Sequence, residues 1–214
     1  MMQLPLVKAE AAKPFQLAMT KVDKIFVKLF WNSKHDLDAH ALSLQDGKIE
    51  NWDDVLSTYN KNLIKVDAPN GAHLAGTKGA FRTLSGSMVH LGDSRSGLVN
   101  AQREPDETIE IYLNKLGTRN EVPFFITNHP PSTATFKEIS DVVVLIEDSD
   151  GKELIQAFLS NDFQDYGAVQ CGAITKNTET GAWDFFPVAR GIEGDNGVLS
   201  AGTFNHILAQ YSPT

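Results

Sequence analysis

The residues of this chain best suited to chemistry are carboxylates, and they fall in two places far apart in the sequence. One is His35-Asp36-Leu37-Asp38-Ala39. The other is Gly92-Asp93-Ser94-Arg95-Ser96-Gly97, followed after a short gap by Pro105-Asp106-Glu107-Thr108. Together they offer five carboxylates, Asp36, Asp38, Asp93, Asp106 and Glu107, with hydroxyl and backbone oxygens beside them and neither a cysteine nor a close histidine pair. Hard oxygen donors of this kind suit Ca²⁺ far better than Zn²⁺ or copper. Any one cluster alone reads as solvated turn acids. Acidic residues also exceed basic ones by eight over the whole chain, so some clustering is expected by chance. A cation site therefore depends on whether the fold brings the stretches together.

The surrounding elements allow it. Phe26 to Phe30 and Leu37 to Leu44 read as strands, and residues two apart in a strand share a face, so Asp36 and Asp38 point the same way where the second strand begins. Gly92 to Gly97 has the composition of a loop that can fold oxygens around an ion. Thr108 to Leu113 alternates apolar and polar, which puts Asp106 and Glu107 at the start of another strand. Most other segments also read as strands: Ile25 to Phe30, Ile109 to Leu113, Val122 to Thr127, Ile139 to Ile146, Glu153 to Leu159, Ala168 to Thr175 and Ala182 to Ala189. Glu147 to Lys152 and Asn177 to Gly181 are hairpin turns by composition. Many strands with short polar connections predict an antiparallel sandwich. At the end, Phe204, Ile207, Leu208 and Tyr211 follow helical spacing, with Ser200 as N-cap and Leu199 placed to pack on Phe204, which predicts a C-terminal helix covering one sheet. Ser57 to Leu84 has little periodicity and three glycines, and is expected to be a long loop inserted into the domain.

The bulk numbers bound the function. At 214 residues the chain is long enough for one domain with a sizeable core. A net charge of -8 argues against nucleic acid or anionic lipid as the main partner and fits cation binding. No segment has the length and apolarity of a membrane span. Met1 to Glu10 lacks a basic flank followed by an apolar run, so no secretory signal is expected. A single cysteine, Cys171, excludes an internal disulfide and points to a reducing, cytoplasmic setting.

Other motifs carry less. Gly71 to Lys78 resembles a phosphate-binding loop, but Thr77 separates the second glycine from the lysine, and neither a strand before it nor a helix after it is evident. The six histidines include no His-Glu-x-x-His, so a zinc site is not expected. His40 lies on the strand face of Asp38 and reads as a partly buried structural histidine. Cys171 reads as a small core residue, because no basic group adjoins it. Trp31, Trp52 and Trp183 read as core or rim residues. Asp162 and Asp165 read as turn acids.

In this order the pieces resemble the TerD-type family of tellurium-resistance and general stress proteins. Leu6-Val7-Lys8 is similar to that family's N-terminal strand. Lys24-Ile25-Phe26-Val27 leads to Trp31 and to Asp36-Leu37-Asp38-Ala39, which matches its Asp-Leu-Asp-Ala signature. Gly92 to Gly97 resembles its Gly-Asp-Asn-x-x-Gly loop, and Pro105 to Ile109 its acidic stretch leading into a strand. Gly181-Ala182-Trp183-Asp184-Phe185 is similar to its Gly-x-Trp-x-Phe strand. The resemblance covers nearly the whole chain as a single domain, residues 1–214. It implies an all-β fold with a C-terminal helix, built as a β-sandwich of two antiparallel sheets. It also implies Ca²⁺, one or two ions, held by Asp36, Asp38, Asp93, Ser94, Ser96, Gly97, Asp106 and Glu107, with Gly97 offering its carbonyl. Two departures bear on the second ion. Ser94 stands where asparagine is usual, and Pro105 displaces a carboxylate from the second acidic stretch. The five carboxylates total minus five, so one Ca²⁺ leaves minus three and two leave minus one.

The reading that follows is a non-enzymatic Ca²⁺-binding stress protein associated with tellurium resistance, cytoplasmic, acting through other proteins of a stress or resistance system. Two alternatives stay open. One is a metal-assisted hydrolase with His40 or His90 as base. The other is a structural or interaction sandwich whose acidic loops no longer hold metal.

Overall fold

The computed structural model describes residues 2–5, 15–16, 23–66, 79–92, 94, 97, 104–128, 135–159, 163–188 and 190–192. They form strands and short turns. In chain order the strands are β1 (Met2–Pro5), β2 (Phe15–Gln16), β3 (Lys24–Asn32), β4 (Leu37–Leu42), β5 (Val55–Leu56), β6 (Ile64–Lys65), β7 (Phe81–Arg82) and β8 (Met88–His90). Then come β9 (Glu107–Tyr112), β10 (Glu121–Asn128), β11 (Ser140–Asp148), β12 (Glu153–Phe158), β13 (Ala168–Lys176), β14 (Trp183–Phe186) and β15 (Arg190–Gly191). One sheet has the order β1-β12-β11-β3-β9-β8-β7-β6, and the other β2-β14-β13-β10-β4-β5 with β15 on β13. The β-sandwich of two sheets is therefore observed. The C-terminal helix expected from Ser200 to Tyr211 lies outside the described residues.

The sequence pattern explains the layers. In β3 the buried residues alternate strictly, so Ile25, Val27, Leu29 and Trp31 face inward while Phe26, Lys28 and Phe30 between them lie on the other face. These pack against Ile109 and Ile111 of β9, Val144 and Ile146 of β11, and Ala39, Ala41, Val122, Phe124 and Ile126 from the other sheet. Strands β4 and β10 are buried almost throughout. On their second face Leu42 of β4 and Phe125 of β10 form a smaller cluster with Leu44, Val55, Ala168 and Ile192. Burial on both faces replaces alternation with a continuous run.

Particular residues set the breaks. Pro123 cannot donate to a ladder, and the register between β10 and β13 shifts there. β14 ends just before Pro187, so the strand expected from Ala182 to Ala189 is the shorter Trp183–Phe186, and β15 forms beyond it. The β11–β12 turn closes as its composition predicts. Asp148 Oδ1 accepts the amides of Asp150 at 3.0 Å and Lys152 at 2.9 Å, and Gly151 takes a φ of +77°.

Two features go beyond the sequence pattern. The pairings are antiparallel except that β1 runs parallel to β12, with Met2 opposite Ile155. The segment from Ser57 to Leu84 is not structureless throughout. Its flanks supply β6 and β7, paired through Ile64↔Arg82 and Lys65↔Phe81, and Ser57, Asn60, Ala80 and Thr83 are buried. Two-residue strands are too short to leave a periodic signature, and residues 67–78, including the phosphate-loop-like stretch, lie outside the described residues.

Candidate metal centre

The link from β3 to β4 crosses from one sheet to the other, and the acidic segments fasten to it. The first fastening is a two-way backbone bridge: Gly97 donates to Ser33 O at 2.9 Å, and Ser33 donates to Gly97 O at 3.2 Å. The approach is close. A Cβ on Gly97 would lie 2.2 Å from Trp31 Cδ1. That indole is 3% exposed and donates through Nε1 to His35 O at 3.1 Å, which holds the Ser33–Asp36 turn. Ser33 Oγ accepts the His35 amide at 3.0 Å in the same turn.

The second fastening comes from the start of β9. Asp106 donates its amide to Leu29 O at 2.8 Å, and its Oδ2 accepts the Trp31 amide at 2.9 Å. Glu107 follows, facing the interior with Ile109 and Ile111. Its Oε2 accepts the Ala39 amide at 2.6 Å, which ties β9 of one sheet to β4 of the other. The same oxygen lies 3.3 Å from His90 Nε2 on β8. Three acidic segments thus meet at the end of the sandwich where β3 hands over to β4.

Burial sets the electrostatics. Asp38 and Glu107 are 0% and 2% exposed. A carboxylate held away from water is costly unless hydrogen bonds or a cation offset it. Burial pushes the Asp106 carboxyl up to about 6, with the Trp31 amide pulling the other way. On β4, alternation puts Asp38 and His40 on the face opposite to Leu37, Ala39 and Ala41, toward the smaller cluster. His40 Nε2 is 2.7 Å from Thr127 Oγ1, which donates to Asp38 O at 3.2 Å. That hydroxyl has one proton, so His40 Nε2 is the donor to it. His40 is fully buried rather than partly buried.

Six of the eight candidate ligands are among the described residues. Asp36 is half-buried immediately before β4, Asp38 is buried on β4, Ser94 is half-buried, Gly97 is bridged to Ser33, Asp106 is tied to β3, and Glu107 is tied to β4. Asp93 and Ser96 lie outside the described residues, as does Asp162, while Asp165 falls in the described turn that Tyr166 closes by donating to Phe163 O at 3.2 Å. Among the described residues, no three His, Cys, Asp or Glu side chains gather closely enough to hold a metal. The described part of the set fits a hard cation in chemistry, since every donor is oxygen and two of its carboxylates are almost fully buried. The structure gives three residues roles here that the sequence did not assign to them, His90 having stood there only as a candidate base for a hydrolase. Trp31 braces the loop at Gly97, Thr127 ties His40 to Asp38 O, and His90 holds Glu107. The only local signal for His90 is its position two residues before the Gly92-Asp93 pair.

Cys171 is fully buried on β13, its thiol donating to Phe124 O at 3.6 Å and pushed upward by burial, which leaves no role for it as a nucleophile. Trp31 and Trp183 belong to the core, while Trp52 is 50% exposed. No helix among the described residues is long and apolar enough to cross a membrane.

Comparison with known proteins agrees with this architecture. The TerD domain family matches residues 2–201. A crystal structure of a protein of unknown function, SAV2460, superposes with a TM-score of 0.58 at 16% identity, covering 81% of this chain and 92% of that one. A homologue of telluride resistance protein (TerD), SCO6318 from Streptomyces coelicolor A3(2), superposes with a TM-score of 0.55 at 18% identity, covering 82% and 93%. No curated protein matches the chain.

Proposed function

This chain belongs to the TerD domain family, and from that premise we propose that it is a Ca²⁺-binding protein without catalytic activity. It acts through protein partners in a tellurium-resistance or general stress system, in the reducing cytoplasm that its single buried thiol suits. The observation that carries this reading is the fastening of two acidic segments to the β3–β4 stretch that holds the third, through Ser33–Gly97, Trp31–Asp106 and Ala39–Glu107. Asp36, Asp38, Asp106 and Glu107, with the Ser94 hydroxyl and the Gly97 carbonyl, are the described residues that would hold the ion, and Asp93 and Ser96 complete the set in sequence. The ion, when bound, supplies positive charge that offsets carboxylates the fold has partly taken out of water. The protein's own contribution is to hold those carboxylates on rigid strands rather than on loops alone.

The hydrolase alternative draws no support from the geometry. His40 and His90 are each fully buried and engaged, with Thr127 and with Glu107. The test is calorimetric titration with Ca²⁺ after chelation, on the native chain and on Asp38→Ala, Asp93→Ala and Asp150→Ala. The first two are expected to weaken binding strongly. Asp150 sits in the β11–β12 turn, so its variant is expected to titrate like the native chain. Identical titrations for all four proteins, or no heat from the native one, overturn the reading.

A further inference from the structure

We propose that His90 is a positioning residue of the cation site: it fixes the carboxylate of Glu107, and through it the spacing of β9 and β4 where the acidic segments meet. The inference rests on the Ca²⁺ reading above. The geometry begins with the ring itself. The Gly92 amide donates to His90 Nδ1 at 3.3 Å. A ring nitrogen that accepts carries no proton, so the imidazole proton sits on Nε2 and points at Glu107 Oε2, 3.3 Å away. The ring has little freedom to turn. Phe81 of β7 stacks on it at 4.7 Å between centroids, with 13° between the planes, and both the His90 and the Glu107 side chains are fully buried.

Glu107 Oε2 therefore takes donors from both sheets, Nε2 of His90 on β8 and the amide of Ala39 on β4. Two donors converging on one carboxylate oxygen leave the plane of the group little room, and that plane decides where Oε1 stands. The contact with Gly92 matters equally. It joins the ring that orders Glu107 to the residue that opens the Gly92–Gly97 loop, so one imidazole touches two of the three acidic segments. Partners that orient a ligand without touching the ion typically change affinity by roughly 10–100-fold when removed.

The experiment separates hydrogen bonding from packing. His90→Phe keeps an aromatic ring against Phe81 and removes the donor. His90→Gln abandons the stack and places an amide N–H near the position of Nε2. Calorimetry is expected to show Ca²⁺ affinity falling about tenfold or more in His90→Phe and recovering most of that loss in His90→Gln, whatever the melting temperatures of the two Ca²⁺-free proteins. A space-filling role predicts the reverse order. Native affinity in His90→Phe, or a weaker site in His90→Gln than in His90→Phe, overturns the proposal. Absence of Ca²⁺ binding by the native chain overturns instead the function on which it rests. If His90→Phe does not fold, the native protein still decides: ¹⁵N-resolved NMR of the imidazole is expected to report the Nε2–H tautomer with and without Ca²⁺. A proton on Nδ1 instead refutes the proposal.

Discussion

Replacing Gly97 with alanine is the sharpest probe of how the acidic loop is attached. The added Cβ would sit 2.2 Å from Trp31 Cδ1, 2.3 Å from Nε1 and 2.5 Å from Cγ, so something must move. One route displaces the indole. It is buried and bonded to His35 O, so this route combines an overpacking cost of about 1–3 kcal/mol with a hydrogen bond worth about 1 kcal/mol. The other route swings the loop away and breaks both Ser33–Gly97 backbone bonds, at about 1 kcal/mol each. The second is the cheaper, so the expected loss is about 2 kcal/mol, and the loop is what gives. With a urea slope of about 2 kcal/mol per M, the unfolding midpoint falls by about 1 M. Ca²⁺ affinity is expected to fall with it, because the detached loop carries Asp93, Ser94 and Ser96. Gly79→Ala is the control, since nothing lies within 4 Å of the Cβ it would add and its φ is unremarkable. Equal midpoints for native, Gly97→Ala and Gly79→Ala proteins would refute the idea that this close approach fastens the loop.

Other outcomes are expected. Ca²⁺ raises the melting temperature by mass action and does so more than Zn²⁺; superimposable curves with excess Ca²⁺ and with chelator contradict the site. In Ca²⁺-free protein the Asp106 carboxyl, raised by burial from 3.8 to about 6, binds its proton more tightly folded than unfolded. Its contribution to stability is therefore present below the unfolded value and lost as pH rises toward and through 6. Asp106→Asn should flatten that decline in urea melts across the window, and an unchanged slope rejects it. Cys171, buried and with its thiol pushed upward, should react with a thiol reagent only after denaturation; rapid labelling of the folded chain contradicts its placement. Residues 67–78 should be replaceable by a short Gly/Ser linker, because Val66 donates to Ala80 O at 3.0 Å and the ends to be joined are already adjacent. Loss of cooperative unfolding would show that the segment contributes to the core.

Strands with strict alternation, such as Lys24 to Asn32, are legible from the chain alone, because a half-buried strand repeats every two residues whatever it packs on. So is the β11–β12 turn, because Asp148 and Gly151 act within the turn they belong to. So too is the all-oxygen character of the candidate donors, because donor type belongs to the side chain. Only the tertiary structure decided what those donors meet. That β4 is buried on both faces, so that Asp38 and Ala39 look into different clusters, depends on Val55, Phe125 and Ile192 arriving from elsewhere. That Glu107 reaches Ala39 across 68 residues depends on two sheets closing on each other, and that it reaches His90 across 17 depends on β8 pairing with β9. That Ser57 to Leu84 contributes two short strands, and that β1 runs parallel to β12, depends on pairing partners the local pattern cannot name. Periodicity and side-chain chemistry are properties of short stretches of chain. Burial, register and the convergence of the acidic segments are properties of contacts between stretches, and they exist only once the sandwich is closed.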